Sequence, residues 1–400
     1  MIVENITDKI NNEPEINLAH NLSLRRFEMS TELTRNPEIV AEYDDGINDQ
    51  VYNEAQLPGF ISELDRIAST ARDFNVSTDH DGFEIDDNLN MRIGDSRFQI
   101  TNHCHSQIAS KVKIPKRYYD RMMVEAPELL RENIQHWFKN EPKETFVRTV
   151  DGRARAILSS SYRPLDNFDL ISAVSPTLTN NKVMIKQAAI TERRMYIKGV
   201  TERLTADIRV GDMVQAGIII SNSEVGSGSL KIEPLIWRLV CQNGLITSHA
   251  IRKYHLGSKF GNDDGITEFL KDETMKAIDS AFWMKVRDIV EGTFSRDIFE
   301  AEIDKLRDSA DRKIEANPAK LIELTDQRIG SQFREHESKS ILRSLMSHGD
   351  MTCWGLTNAM TEIAKESSSY DRQVELERLA NRVINLTNAE WEVMMENANN

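Results

Sequence analysis

Apolar positions along the chain follow two different rules, and the rule changes near residue 144. Before it, helical spacing dominates. Pro58-Gly59 opens a segment in which Phe60, Ile61, Leu64, Ile67 and Ala68 recur every three or four residues. Residues 76–96 are rich in Asp, Asn and Gly and read as loop or hairpin. A short strand, Arg97–Thr101, leads into a helix capped by Thr101 or Asn102, and Pro115 and Pro127 stand where they can open two more helices.

From about 144 to 255 the period is two. Phe146–Val150 and Arg153–Leu158 flank Asp151-Gly152, a strong signal for a two-residue hairpin turn. A short helix is expected over 166–178. Residues 183–188 pair with 194–200, and 213–221 with 229–233. The run from Pro234 to Gly244 fits a buried strand, but Pro at its start and Gly at its end favour a short helix. Beyond a linker at 257–265 the helical period returns. Stripes such as Ile298, Phe299, Ile303 and Leu306, or Leu376, Leu379, Val383 and Ile384, are expected to be core or subunit contacts.

The expected fold class is therefore α+β. A helical amino-terminal region precedes a central antiparallel sheet of hairpins with packed helices and an all-helical carboxy-terminal region. The expected divisions are an acidic arm at 1–55, a mainly helical region at 56–143, a β-rich basic core at 144–256 and a helical domain at 266–400.

Charge sharpens that division. The chain has 50 basic and 64 acidic residues, net −14. Residues 1–110 hold 8 basic and 21 acidic groups, 111–260 hold 24 and 15, and 261–400 hold 18 and 28. A middle of net +9 between acidic flanks either binds a polyanion or is neutralised by the flanks folding back on it. Three cysteines make no disulfide framework, no signal peptide is visible, and no apolar run has the roughly 18 residues of a membrane helix. A cytoplasmic location is expected.

The first hairpin carries the most informative chemistry. A two-residue turn at Asp151-Gly152 pairs Val150 with Arg153 and Arg148 with Arg155, placing Arg148, Arg153 and Arg155 on one face and Val147, Ala154, Ala156 and Leu158 on the other. Like charges opposite one another on a sheet repel. The offsetting anions are either the chain's own carboxylates, such as Asp166 and Asp169, or a phosphate backbone. In the next pair Arg194, Tyr196 and Lys198 share a face, while Lys182 and Lys186 alternate with Val183 and Ile185. Arg252, Lys253 and Tyr254 add a basic-aromatic cluster. Cations that follow phosphates beside rings that stack on bases suit single-stranded nucleic acid, and a solvated sheet face is the competing explanation.

Enzymatic signatures are weak. Gly226-Ser-Gly228 lacks the Lys-Ser or Lys-Thr ending of a phosphate-binding loop and reads as a flexible hairpin loop. His103 and His105 offer two metal ligands, but no second Cys/His pair at zinc-like spacing accompanies them, so neither metal nor cofactor is expected.

The runs Arg153-Ala-Arg-Ala-Ile-Leu-Ser-Ser-Ser-Tyr-Arg-Pro-Leu-Asp-Asn167, Asn222-Ser-Glu-Val-Gly226 and Ile236-Trp-Arg-Leu-Val-Cys-Gln-Asn-Gly-Leu245 resemble signatures of a phage/plasmid-like protein family labelled a domain of unknown function. Trp354-Gly-Leu-Thr-Asn-Ala359 fits the same resemblance, which spans roughly residues 97–390. The sequence departs from it at Ser223-Glu224-Val225, where a His-Asp-Gly-like turn is expected, and at Gly244, where many members have Thr. The resemblance implies a mobile-element protein of the bacterial host cytoplasm, neighbour to replication and recombination functions. A basic antiparallel sheet backed by helices is also similar, at the level of fold, to single-strand annealing proteins. The resulting expectation is a non-enzymatic phage DNA-binding protein, acting in annealing, recombination or replication, with a helical tail for self-assembly. The alternative is a protein-binding or inhibitory factor that acts on host machinery.

Overall fold

The computed structural model describes residues 49–247, 272–330, 333–367 and 369–399. Two six-stranded sheets organise them. The first has the order β1-β8-β9-β10-β11-β12 and is antiparallel throughout, with β1 at Gln50–Asn53, β8 at Val183–Ile190, β9 at Met195–Asp207, β10 at Met213–Asn222, β11 at Lys231–Arg238 and β12 at Asn243–Ile246. The second has the order β2-β6-β7-β5-β4-β3, from β2 (Arg72–Ser77), β3 (Phe83–Ile85), β4 (Met91–Ile93), β5 (Ser96–Ile100), β6 (Glu144–Val150) and β7 (Arg153–Ser159). Mixed α+β architecture with carboxy-terminal helices is thus the fold class.

Helix α1 (Leu57–Thr70) buries Leu57, Phe60, Leu64 and Ile67, the stripe its spacing predicts. Helices α2 (Asn102–Lys111), α3 (Lys116–Glu125) and α4 (Pro127–Asn140) cover the second sheet. Thr101 caps α2 by accepting from the Cys104 amide, and Pro127 opens α4. Helix α5 (Asn167–Asn180) carries Pro176 inside it and ends soon after. The carboxy-terminal part comprises α6 (Asp272–Thr293), α7 (Arg296–Asp311), α8 (Pro318–Ile329), α9 (Glu335–His348), α10 (Cys353–Lys365), α11 (Tyr370–Ile384) and α12 (Asn388–Asn399).

Two expectations change. The run beginning at Pro234 is strand, not helix. Pro234 lies opposite Ile218 and its carbonyl accepts from the Thr247 amide, so the flank missing an N–H faces the end of β12 rather than the ladder with β10. Gln50–Asn53, assigned from sequence to the acidic arm, pairs antiparallel with Gln187–Ile190 as an edge strand. The rest of that arm up to residue 48, and the linker at 257–265, lie outside the described residues.

The first sheet is covered on both faces. On one, Met195, Ile197, Ile218, Ile220 and Ile232 pack with α1, α5 and α6. On the other, Tyr196, Ile219, Leu235, Trp237 and Ile246 meet Tyr370 and Val374 of α11. A third cluster continues from Val214, Ala216, Ile236 and Leu245 into helices α7 to α12. The helical end of the chain is part of the same body as the sheet.

Candidate functional site

The Asp151-Gly152 turn forms as predicted, both residues having positive φ (49° and 72°). The register beyond it differs. Thr149 pairs with Ala154 and Arg148 with Ala156, so Arg155 is the extra residue of a bulge and does not lie opposite Arg148. Both side chains are buried, and the chain's own carboxylates hold them. Arg148 donates to Asp73 at 3.0 Å and to Asp166 at 2.6 Å, and Arg155 to Glu224 at 2.9 Å. Burial works against the Arg148 charge, but Asp166, Asp73 and Glu224 outweigh it and raise its pKa above the ordinary arginine value.

Glu224 is the centre of a junction built from the motif residues. Its carboxylate also accepts from the Asn167 amide at 2.8 Å, and its carbonyl from Arg148 at 3.2 Å. Asn222 donates to the Leu165 carbonyl and to Asn167 Oδ1, and Tyr162 to the Ser223 carbonyl. From α2, His103 Nε2 and Gln107 Nε2 donate to the Val225 carbonyl. In the loop after β10, Gly226 and Gly228 are exposed, but Asn222 to Val225 just before them are buried and tie the two sheets together. His103 and His105 do not converge on a metal position. His103 faces Val225, and His105 Nδ1 lies 2.8 Å from the Tyr119 hydroxyl. Among the described residues no group of His, Cys, Asp or Glu is arranged to hold a metal ion.

The remaining sheet residues scatter. Lys198 is fully buried and donates to Glu377 at 2.6 Å, and Tyr196 donates to Asp371 at 2.7 Å, both under α11. Lys186 pairs with Glu54 at 2.9 Å, and Arg194 donates to the Ser227 carbonyl. Arg153 and Lys182 are exposed. Arg252, Lys253 and Tyr254 lie outside the described residues. The single basic face expected from alternation is therefore not assembled, because the polar side of the sheet meets a second protein layer that brings its own acids.

A different surface joins cations and rings. A cleft of about 350 Å³ opens where α2, α3 and α4 end or begin, lined by Lys111, Lys113, Lys143, Tyr118, Trp137 and Glu141 together with the apolar Val112, Ile114 and Phe138. Its walls are set by local chemistry. Helix α2 closes with Ile114 N–H donating to Ala109 and Lys113 N–H to Ser110, a Schellman arrangement that puts Lys113 in the left-handed region (φ 57°) usually given to glycine. Thr78 donates to the Phe138 carbonyl and accepts from the Lys143 amide, fixing the segment after α4.

Lys113 pairs with Glu141 at 3.3 Å. Lys111 is half-buried, its ammonium 3.4 Å from the Leu158 carbonyl, and among the described residues neither it nor Lys143 is paired with a carboxylate. Burial, and then the facing Lys143 charge, lower the Lys111 pKa. Tyr118 and Trp137 are exposed beside these ammonium groups, at 51% and 40%. Exposed rings next to uncompensated cations in a concave site can take an anion that carries a flat, stackable group. Sequence reading missed this cleft because its residues belong to three helix ends and show no periodicity of their own.

Fold and site define a two-sheet α+β protein whose signature motifs form a buried polar junction. The chain belongs to the family described as Domain of unknown function (DUF932), whose model matches residues 155–389, more than half of the 400 residues. No curated protein and no solved structure matches the chain. Among the described residues no helix is long and apolar enough to cross a membrane.

Proposed function

We propose that this protein is a non-enzymatic binder of single-stranded DNA, serving annealing, recombination or replication in a phage or related mobile element. The observation that supports this reading is the apposition of Lys111 and Lys143, without a carboxylate partner among the described residues, beside the exposed rings of Tyr118 and Trp137. Ammonium groups neutralise phosphates and release counterions, while ring faces accept unstacked bases regardless of sequence. The exposed Arg153 and Lys182 are secondary candidates for phosphate contact.

Fluorescence anisotropy with single- and double-stranded oligonucleotides at two salt concentrations tests the reading. Binding that prefers single strands, weakens with salt and is lost in Lys111→Glu/Lys143→Glu is expected. No binding at low salt, or binding indifferent to salt, would rule it out.

A second reading, a protein-binding or inhibitory factor acting on host machinery, draws on a specific surface. Val210, Met213, Leu239 and Val240 are all exposed, and the Leu239 amide donates to the Met213 carbonyl, so two neighbouring turns present apolar side chains together. Capture of a defined host protein that is abolished by Val210→Asp/Val240→Asp would favour it.

A further inference from the structure

We infer that the cleft accepts one unstacked nucleotide at a time, and that it favours the bases with an exocyclic amino group, adenine, cytosine and guanine, over thymine. The inference rests on the nucleic-acid reading above and narrows it to a ligand unit.

The size of the space comes first. About 350 Å³ is near the lower end of the roughly 300–1,000 Å³ typical of small-molecule sites, enough for one nucleotide and too narrow for a base pair with its two backbones. The apolar floor of Val112, Ile114 and Phe138 suits a base more than a phosphate. Phosphate has its own place on the wall of the cleft that Lys111 and Lys143 both line, where an anion relieves their mutual repulsion.

The polar inventory sets the base preference. Lysine ammonium groups only donate. The Thr78 hydroxyl already donates to the Phe138 carbonyl and accepts from the Lys143 amide. The Glu141 carboxylate pairs with Lys113 through one oxygen, at 3.3 Å, and is 43% accessible. A carboxylate oxygen accepts from the amino group of cytosine, adenine or guanine, whereas thymine has no amino group and presents a carbonyl oxygen at the position matching that of cytosine or adenine. Glu141 thus reads an amino group while Tyr118 and Trp137 hold the ring plane.

Competition assays on the full chain test this. A labelled mixed-sequence single strand is displaced by short homopolymers of dA, dC or dT, by dCMP and by inorganic phosphate, while Trp137 emission is followed against Trp137→Phe. Displacement by dA and dC about tenfold better than by dT is expected, with dCMP quenching Trp137 and inorganic phosphate leaving its emission unchanged. Glu141→Ala should erase the base preference, and Lys111→Met should weaken every nucleotide about tenfold. Circular dichroism confirms that each variant is folded.

Equal displacement by dT, or phosphate competing as well as dCMP, would overturn the inference while leaving strand binding intact. Oligonucleotide binding unaffected by Lys111→Met and Trp137→Ala would place the strand elsewhere and overturn it as well. Absence of any oligonucleotide binding would instead remove the broader reading on which it stands.

Discussion

The Lys198 ammonium donates to Glu377 at 2.6 Å, and neither side chain reaches solvent. Burial drives the Lys198 pKa down and the Glu377 charge opposes that shift. The ammonium also sits 5.1 Å from the centre of the Tyr370 ring. Removing one partner leaves a buried charge uncompensated, at a cost of about 3–5 kcal/mol, whereas replacing both with apolar residues avoids that penalty. In urea denaturation, Glu377→Leu should be strongly destabilised and Lys198→Met/Glu377→Leu should recover most of the loss. A double variant as unstable as the single would show that the two residues are not energetically coupled.

Glu224 should matter far more than Arg153, the exposed arginine of the hairpin that it braces. Glu224→Ala takes away the carboxylate shared by Arg155 and the Asn167 amide and weakens the hold on Arg148, so a loss of about 3 kcal/mol or more is expected. Arg153→Glu should stay within about 0.5 kcal/mol of wild type. Similar unfolding midpoints for the two variants would contradict the buried junction.

His105 supplies a pH dependence. Burial, followed by the Lys116 charge, lowers its pKa from 6.5 to about 4. Above 6.5 the imidazole is neutral in both folded and unfolded chains and contributes no slope. As pH falls through 6.5 the unfolded chain takes up the proton first, so stability is lost progressively down to about 4, by about 3 kcal/mol from this residue. His105→Gln should flatten the stability profile across that window, and an unchanged slope would assign it to other groups.

Lys113 holds a left-handed conformation that disfavours any side chain with a Cβ. Lys113→Gly should raise the thermal midpoint, corresponding to a few tenths to about 1 kcal/mol after the extra freedom of glycine in the unfolded chain is counted. A lower midpoint would mean that the Lys113–Glu141 pair outweighs the backbone strain.

Much of the architecture was legible because it is local. The stripe of α1, the Thr101 cap and the Asp151-Gly152 turn are each encoded within a few residues. What was not legible depends on partners distant in sequence. Alternation correctly puts Tyr196 and Lys198 on the face opposite Met195 and Ile197, but it does not say that Asp371 and Glu377 will cover that face. Asp166 was foreseeable as an anion for Arg148. Glu224 was not, since it sits 69 residues beyond Arg155 in a loop whose glycines suggested freedom. Strand β2, which supplies Asp73, escaped notice because its alternation rests on two apolar residues, Phe74 and Val76, and runs straight into the Asp- and Asn-rich stretch after it.

The separation of 179 positions between Lys198 and Glu377 also sets a timetable. At roughly 5–20 residues per second, a ribosome releases the strand some ten to forty seconds before the helix that neutralises it. Throughout that interval the newborn sheet has one side with no counterpart. Shielding by a chaperone, or delayed collapse, would bridge the gap until α11 emerges.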